Sequence, residues 1–153
     1  MRNRLGLIAL VLWLVTAVGL GVLFVHGRTE KAPDGRTAIL MSAAERDFVF
    51  TEMRGLLVAV RDITAALAEG DTVKVAAAAK AMGMGEAHDR APALLAKLPL
   101  DFKRLAMTLH GGFDEMAEAA AKGETPAQLN TRLIAQLDRC TVCHAGFRID
   151  VAQ

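Results

Sequence analysis

Cys140, Thr141, Val142, Cys143 and His144 place two thiols three positions apart, with an imidazole beside the second. This C-x-x-C-H spacing is the attachment motif of c-type haem. The two thiols can form thioethers to the haem vinyl groups, and the imidazole can then bind iron as the proximal ligand. The chain has two cysteines, both within this motif, so none is left for a structural disulfide. Other chemistries suit the same residues less well. A thioredoxin-type pair opens a helix after a strand, and no alternating strand pattern is evident here. A structural zinc site needs four ligands, so Cys140, Cys143 and His144 would have to recruit His26, His88 or His110. One covalently bound haem is therefore the expected cofactor.

Such a group has to be positioned, and the chain divides into an apolar start, a short connector and a helical remainder. Leu5 to Val25 is a run of 21 residues without a charge. At about 1.5 Å per residue it reaches roughly 31 Å as a helix, enough to span a bilayer core. Arg2 and Arg4 precede it, which orients the N-terminus toward the cytoplasm and sends the rest of the chain across. A signal peptide has a shorter apolar region ending in an A-x-A-like site. This run continues into Phe24-Val25-His26-Gly27-Arg28 without such a site, so residues 1–27 are read as a retained transmembrane anchor. Residues 28–37 read as a polar linker, with Pro33-Asp34-Gly35 as a turn signal. Residues 38–153 form the expected haem domain. Without Arg2, Arg4 and Arg28 the charge is 15 Lys and Arg against 17 Asp and Glu, a balance that excludes nucleic acid as a partner.

The pattern of the remainder is all-α, with four helical segments forming an antiparallel four-helix bundle. The first runs from about Ser42 to Glu69. Ser42 and Glu45 make a capping box, and Val49, Met53, Leu56, Val60, Ile63 and Leu67 form a seam spaced 4-3-4-3-4. The second runs from about Thr72 to Leu98, with Pro92 expected to kink or divide it. The third runs from Pro99 to Lys122, burying Phe102, Leu105, Leu109, Phe113 and Met116. The fourth runs from Thr125 to about Asp150, with Leu129, Leu133, Leu137, Cys140, His144 and Phe147 on one face.

With the motif on the last of four helices, the region from about Ser42 to Arg148 resembles the cytochrome c′ family of four-helix-bundle cytochromes. The specific part is Cys140-x-x-Cys143-His144-x-x-Phe147-Arg148. Members of that family differ at the sixth iron position. High-spin members shield an open site with an apolar residue of the first helix, and low-spin relatives ligate iron with a methionine from it. The resemblance places Met53 at that position, so the implied metal ligands are His144 and Met53, and the implied haem-binding residues are Cys140, Cys143, His144 and Met53. Two departures stand out: the membrane anchor, and Val49 where a propionate-binding arginine is typical. Arg46 and Arg54 are the candidate substitutes.

Other chemistry-bearing residues have plainer expectations. Met82 and Met84, in Met82-Gly83-Met84-Gly85, are expected to fill core at a kink. His110 and His88 are expected at the surface or hydrogen-bonded, and His26 at the membrane boundary. No G-x-S-x-G, H-E-x-x-H or phosphate loop is present, so an enzyme acting on an organic substrate is not expected. The expected function is one-electron transfer by a monohaem cytochrome of the bacterial inner membrane. Its haem domain would lie in the periplasm and exchange electrons with redox partner proteins in or at the membrane. Capture of nitric oxide or carbon monoxide at an open sixth site is the competing function, and an accessory haem subunit of a membrane complex is a third. A homodimer is possible on the same resemblance. The anchor has a direct test: the mature protein should stay with membranes through high-salt and carbonate washes, whereas a mature N-terminus between Gly27 and Ala32 would identify a cleaved signal.

Overall fold

A computed structural model of the 153-residue chain describes residues 2–87 and 92–152. In chain order these residues form α1 (Arg2–His26), β1 (Thr29–Lys31), β2 (Thr37–Met41), α2 (Ala43–Glu69), α3 (Thr72–Lys80), α4 (Met84–Ala87), α5 (Pro92–Lys97), α6 (Leu100–Ala121), α7 (Pro126–Gly146) and β3 (Phe147–Val151). The chain is predominantly helical, in line with the all-α pattern. Within α1, Arg4–His26 is long and apolar enough to cross a membrane, and none of it is buried against the protein.

Local signals set the long helices. Ser42 accepts from the Glu45 backbone amide, and the Glu45 carboxylate accepts from the Ser42 amide at 2.9 Å, closing the expected capping box at the start of α2. Gly70 ends that helix in the left-handed conformation, at φ 72°. Thr125 and Gln128 form a second capping box at the start of α7, with Pro126 in the first turn. Helices α2, α3, α6 and α7 share one buried cluster, built from Ile63 and Ala66, Val75 and Ala79, Phe113 and Met116, and Leu129 and Leu133. The alanines let the backbones approach closely, and Phe113 and Met116 fill the space between them.

Three expectations are corrected. The helix expected over 72–98 is already broken between α3 and α4, ahead of the division expected at Pro92, where α5 begins. Asp114 of α6 explains the break before α4: it accepts from the Met84 amide at 2.7 Å, and a Cβ at Gly83 would lie 2.2 Å from its Oδ1. The last helix stops at Gly146 instead of continuing to Asp150. Phe147 is extended, at φ −129° and ψ 153°, and its strand pairs with β2. Residues 28–37 are not a free linker. Residues Thr29–Lys31 pair antiparallel with Thr37–Ile39, and Pro33 and Asp34 are the central residues of the turn between them, closed by the Gly35 amide donating to the Ala32 carbonyl. The resulting sheet has the order β1-β2-β3, with β2 and β3 parallel and Ile39 beside Ile149. His88 lies outside the described residues.

Phe113 is 1% exposed in the shared cluster. Phe113→Ala should lower unfolding stability by about 3–5 kcal/mol, read from urea denaturation. Val73, 79% exposed on α3, is the control: Val73→Ala should stay within about 0.5 kcal/mol.

Candidate functional site

The C-x-x-C-H motif occupies the last two turns of α7, where that helix meets β3. Under the sheet lies a second buried cluster: Ile39 and Met41 of β2, Leu94 of α5, Leu98, Phe102 of α6 and Ile149 of β3. Met53, Phe50 and Val49 of α2 pack against it, as do Cys143 of α7 and Phe147 of β3. Phe102 and Phe147 meet edge to face, their ring centroids 5.4 Å apart at 87°. Met53 and Cys143 thus rest on the same apolar cluster although 90 residues separate them in sequence (143 − 53).

Beside this cluster opens a cavity of about 930 Å³, lined by Met53, Phe50, Phe102, Cys143, His144 and Phe147 among others. That volume lies near the top of the roughly 300–1,000 Å³ typical of cofactor and small-molecule sites. Three of the four residues singled out in the sequence therefore line one cavity: Met53 from α2, Cys143 and His144 from α7. Cys140 does not line it. It is half-buried one turn earlier on the same helix.

The backbone around His144 is held from the β1–β2 turn. Arg36 Nη1 donates to the His144 carbonyl at 3.3 Å and to the Phe147 carbonyl at 3.4 Å. Asp34 holds Arg36 in place at 2.8 Å and also pairs with Arg148 at 3.1 Å, while Arg148 reaches Asp150 at 2.9 Å. The Arg36 hydrogen bonds hold the Asp34 carboxyl at about 2, well below its usual 3.8. The charged residues on the cavity wall are Arg28, Arg36, Arg46 and Arg148 against Glu30 and Asp150, a surplus of two positive charges (4 − 2). Arg46 stacks over the Phe50 ring at 4.4 Å.

Burial raises both cysteine pKa values, that of Cys143 also through the neighbouring Cys140. The pair is therefore thiol at neutral pH and sits deep within α7. Low-pKa redox pairs instead sit at helix N-termini or beside cations. Both cysteines are free. Among the described residues no group of three or more His, Cys, Asp or Glu side chains is placed to hold a metal ion. His110 is buried away from the motif on α6, its Nδ1 2.7 Å from the Met82 carbonyl.

The two arginine candidates separate cleanly. Arg46 lines the cavity, whereas Arg54 is exposed and donates to Thr51 Oγ1 at 2.9 Å. Met82 packs at the edge of the helical core, and neither it nor Met84 lines the cavity. Leu137, expected inside, is 39% exposed, and Gln136 takes the buried position at 3%. Comparison with family models, with curated proteins and with solved structures returned no match to this chain.

Sequence reasoning passed over Arg28, Glu30 and Arg36, which the hairpin brings to the cavity. A signal for that sheet was present. Phe147-Arg148-Ile149-Asp150-Val151 alternates apolar and polar residues with the period of a strand.

Glu45 ties the start of α2, and with it the Arg46–Met53 wall, to α5 through Lys97 at 2.7 Å. The Lys97 hydrogen bond, with those from Ser42, lowers the Glu45 pKa from 4.5 to about 2. A depressed carboxylate stabilises the fold above its unfolded pKa, and that contribution is lost as pH falls through the folded value. Thermal stability should therefore decline as pH falls from about 4.5 toward 2. Glu45→Gln keeps the capping geometry but removes the ion pair, at a cost under about 1 kcal/mol at pH 7. It should flatten Glu45's share of the acid decline in circular-dichroism melts.

Proposed function

We propose that this chain is a membrane-anchored, periplasm-facing monohaem c-type cytochrome that carries single electrons. The observation that carries this reading is a C-x-x-C-H motif at the wall of a haem-sized cavity to which a second helix contributes Met53. The residues fit the group. Cys140 and Cys143 would hold it covalently, and His144 would be the proximal donor, its backbone fixed by Arg36. Phe50, Phe102 and Phe147 supply an apolar wall, and the surplus arginine charge, Arg46 included, suits the two haem carboxylates. Bound haem supplies a reversible one-electron couple whose potential depends on axial donors, burial and nearby charge. Met53 is the proposed sixth donor, and its thioether would favour the reduced state. The shared core of α2, α3, α6 and α7 supports the four-helix-bundle reading and the resemblance to the cytochrome c′ family. Here that architecture would carry a small sheet beside the haem.

Denatured protein should retain its haem, and the reduced pyridine adduct should show the spectrum of two thioether links. Haem that leaves in acid acetone would overturn the proposal. Cys140→Ala and Cys143→Ala should each impair maturation. The oxidised wild type should be low-spin, and Met53→Ala should convert it to high-spin, open it to carbon monoxide and lower its potential. A wild type already high-spin and gas-binding would remove Met53 as ligand and assign the site to nitric oxide or carbon monoxide instead.

A further inference from the structure

The end of α1, although exposed to solvent, is tied to the helical domain through its last turn. Gly27 has φ +65°, and a Cβ there would lie 2.4 Å from the Lys97 carbonyl oxygen, so the chain turns against the end of α5 in van der Waals contact. The Arg28 amide donates to that same Lys97 carbonyl at 2.8 Å, and the Leu40 amide donates to the Arg28 carbonyl at 2.8 Å. Lys103 of α6, 9% exposed, donates from Nζ to the Phe24 carbonyl at 2.8 Å and lies 4.0 Å above the centroid of the Phe24 ring. Thr29 then enters β1 directly. From Phe24 to Lys31 no run of unpaired backbone is long enough to act as a swivel.

This junction also places the cavity. Arg28 and Glu30 belong to its wall, and Glu30 is the fourth residue after the end of α1. At about 3.3 Å per extended residue that is at most about 13 Å of chain. The far end of α6 lies about 33 Å along the helix from the junction, at about 1.5 Å per residue over 22 residues. Helix α7 starts there and returns, bringing Cys143 and His144 back to the membrane end. Met107 lies one turn beyond Lys103 on the same face of α6 and is 61% exposed, and Leu95 of α5 is 43% exposed. Apolar side chains therefore flank the docked end of α1.

Building on the electron-transfer reading above, we propose that the α1 junction is a fixed mount presenting the cavity at the bilayer surface to an integral membrane redox protein. A soluble carrier approaching this edge would meet the membrane. The wall beside the junction carries Arg28, Glu30, Arg148 and Asp150, a mixed charged surface suited to a protein partner and not to an apolar quinol. The supply side of the reaction is thus a one-electron donor held in the same membrane.

The full chain in nanodiscs whose lipids carry gadolinium-chelating headgroups gives a haem-independent readout. Relaxation enhancement of backbone amides should be strong at Arg28, Glu30, Leu98 and Lys103 and absent at Lys122 to Glu124. Enhancement spread evenly over both ends would overturn the mount. An insert of about ten Gly/Ser residues after Gly27 should flatten the gradient. It should also slow reduction of the haem by host membranes about tenfold or more, with reduction by ascorbate unchanged. Reduction by the soluble periplasmic fraction as fast as by membranes, or an insert without effect on either readout, would rule the proposal out. A missing pyridine adduct would defeat the cytochrome reading instead and leave the amide gradient to decide the mount.

Discussion

The parallel pairing of Thr37–Met41 with Phe147–Val151 is the constraint on which the cavity depends. It ends the last helix at Gly146, turns the chain into a strand at Phe147, three residues after His144, and joins that strand to the segment that follows α1. Register here has little freedom. Ala38, Ile39 and Met41 are fully buried, and a slip of one residue would turn Ile39 and Met41 away from the cluster they fill. With the register fixed, Ile149 faces the same cluster, Arg148 meets Asp34, and Arg36 reaches the His144 carbonyl. The short sheet thus holds the functional end of α7 from the side opposite the helical core.

Legibility in the sequence follows from the range of the interactions. The capping box at Ser42, the start of the last helix at Thr125-Pro126, the apolar first helix, the seam of α2 and the inner face of α6 are set by neighbours within one or two turns, and they stand where the pattern put them. Met53, Cys143 and His144 were selected by motif, register and resemblance, and they line one cavity. The misreadings have long-range causes. The extension of the last helix to Asp150 followed helical spacing through Phe147, but residues 147–151 find backbone partners in β2, more than a hundred residues earlier. The helix expected from Thr72, divided at Pro92 alone, missed the earlier break set by Asp114, whose carboxylate caps Met84 from another helix. The linker reading of 28–37 recognised the turn at Pro33-Asp34-Gly35 but not the strands that flank it, because β1 is only three residues long.

Two buried clusters divide the work of the domain. The one shared by α2, α3, α6 and α7 is dense with alanine around Phe113 and Met116, so its helices sit close and a lost side chain leaves a void that rigid backbones cannot collapse into. The cluster under the sheet is built from larger and softer side chains, Met41, Phe102 and Leu98, with Met53 and Phe50 against it. Methionine adapts its shape at small energetic cost, which suits a cluster that borders an open cavity.

Charge at the cavity follows the same division. Asp34 and Asp150 neutralise Arg148, and Asp34 also holds Arg36, which donates to the His144 and Phe147 carbonyls. Arg46 is different: it leans on Phe50, and its nearest carboxylate, Asp47, is 3.8 Å away and exposed. A guanidinium stacked on an aromatic ring keeps its donors available in a fixed plane, the geometry that suits bidentate binding of a carboxylate. Arg46 precedes Met53 by two turns of α2, so a single helix presents a cation for an anionic group and a soft sulfur donor along one wall. That wall is tied down at its start by Glu45 and Lys97, the latter being the residue whose carbonyl accepts from the Arg28 amide just beyond α1. The start of the helix that carries Met53 and the segment leaving α1 therefore both attach to Lys97, one through its ammonium and the other through its carbonyl.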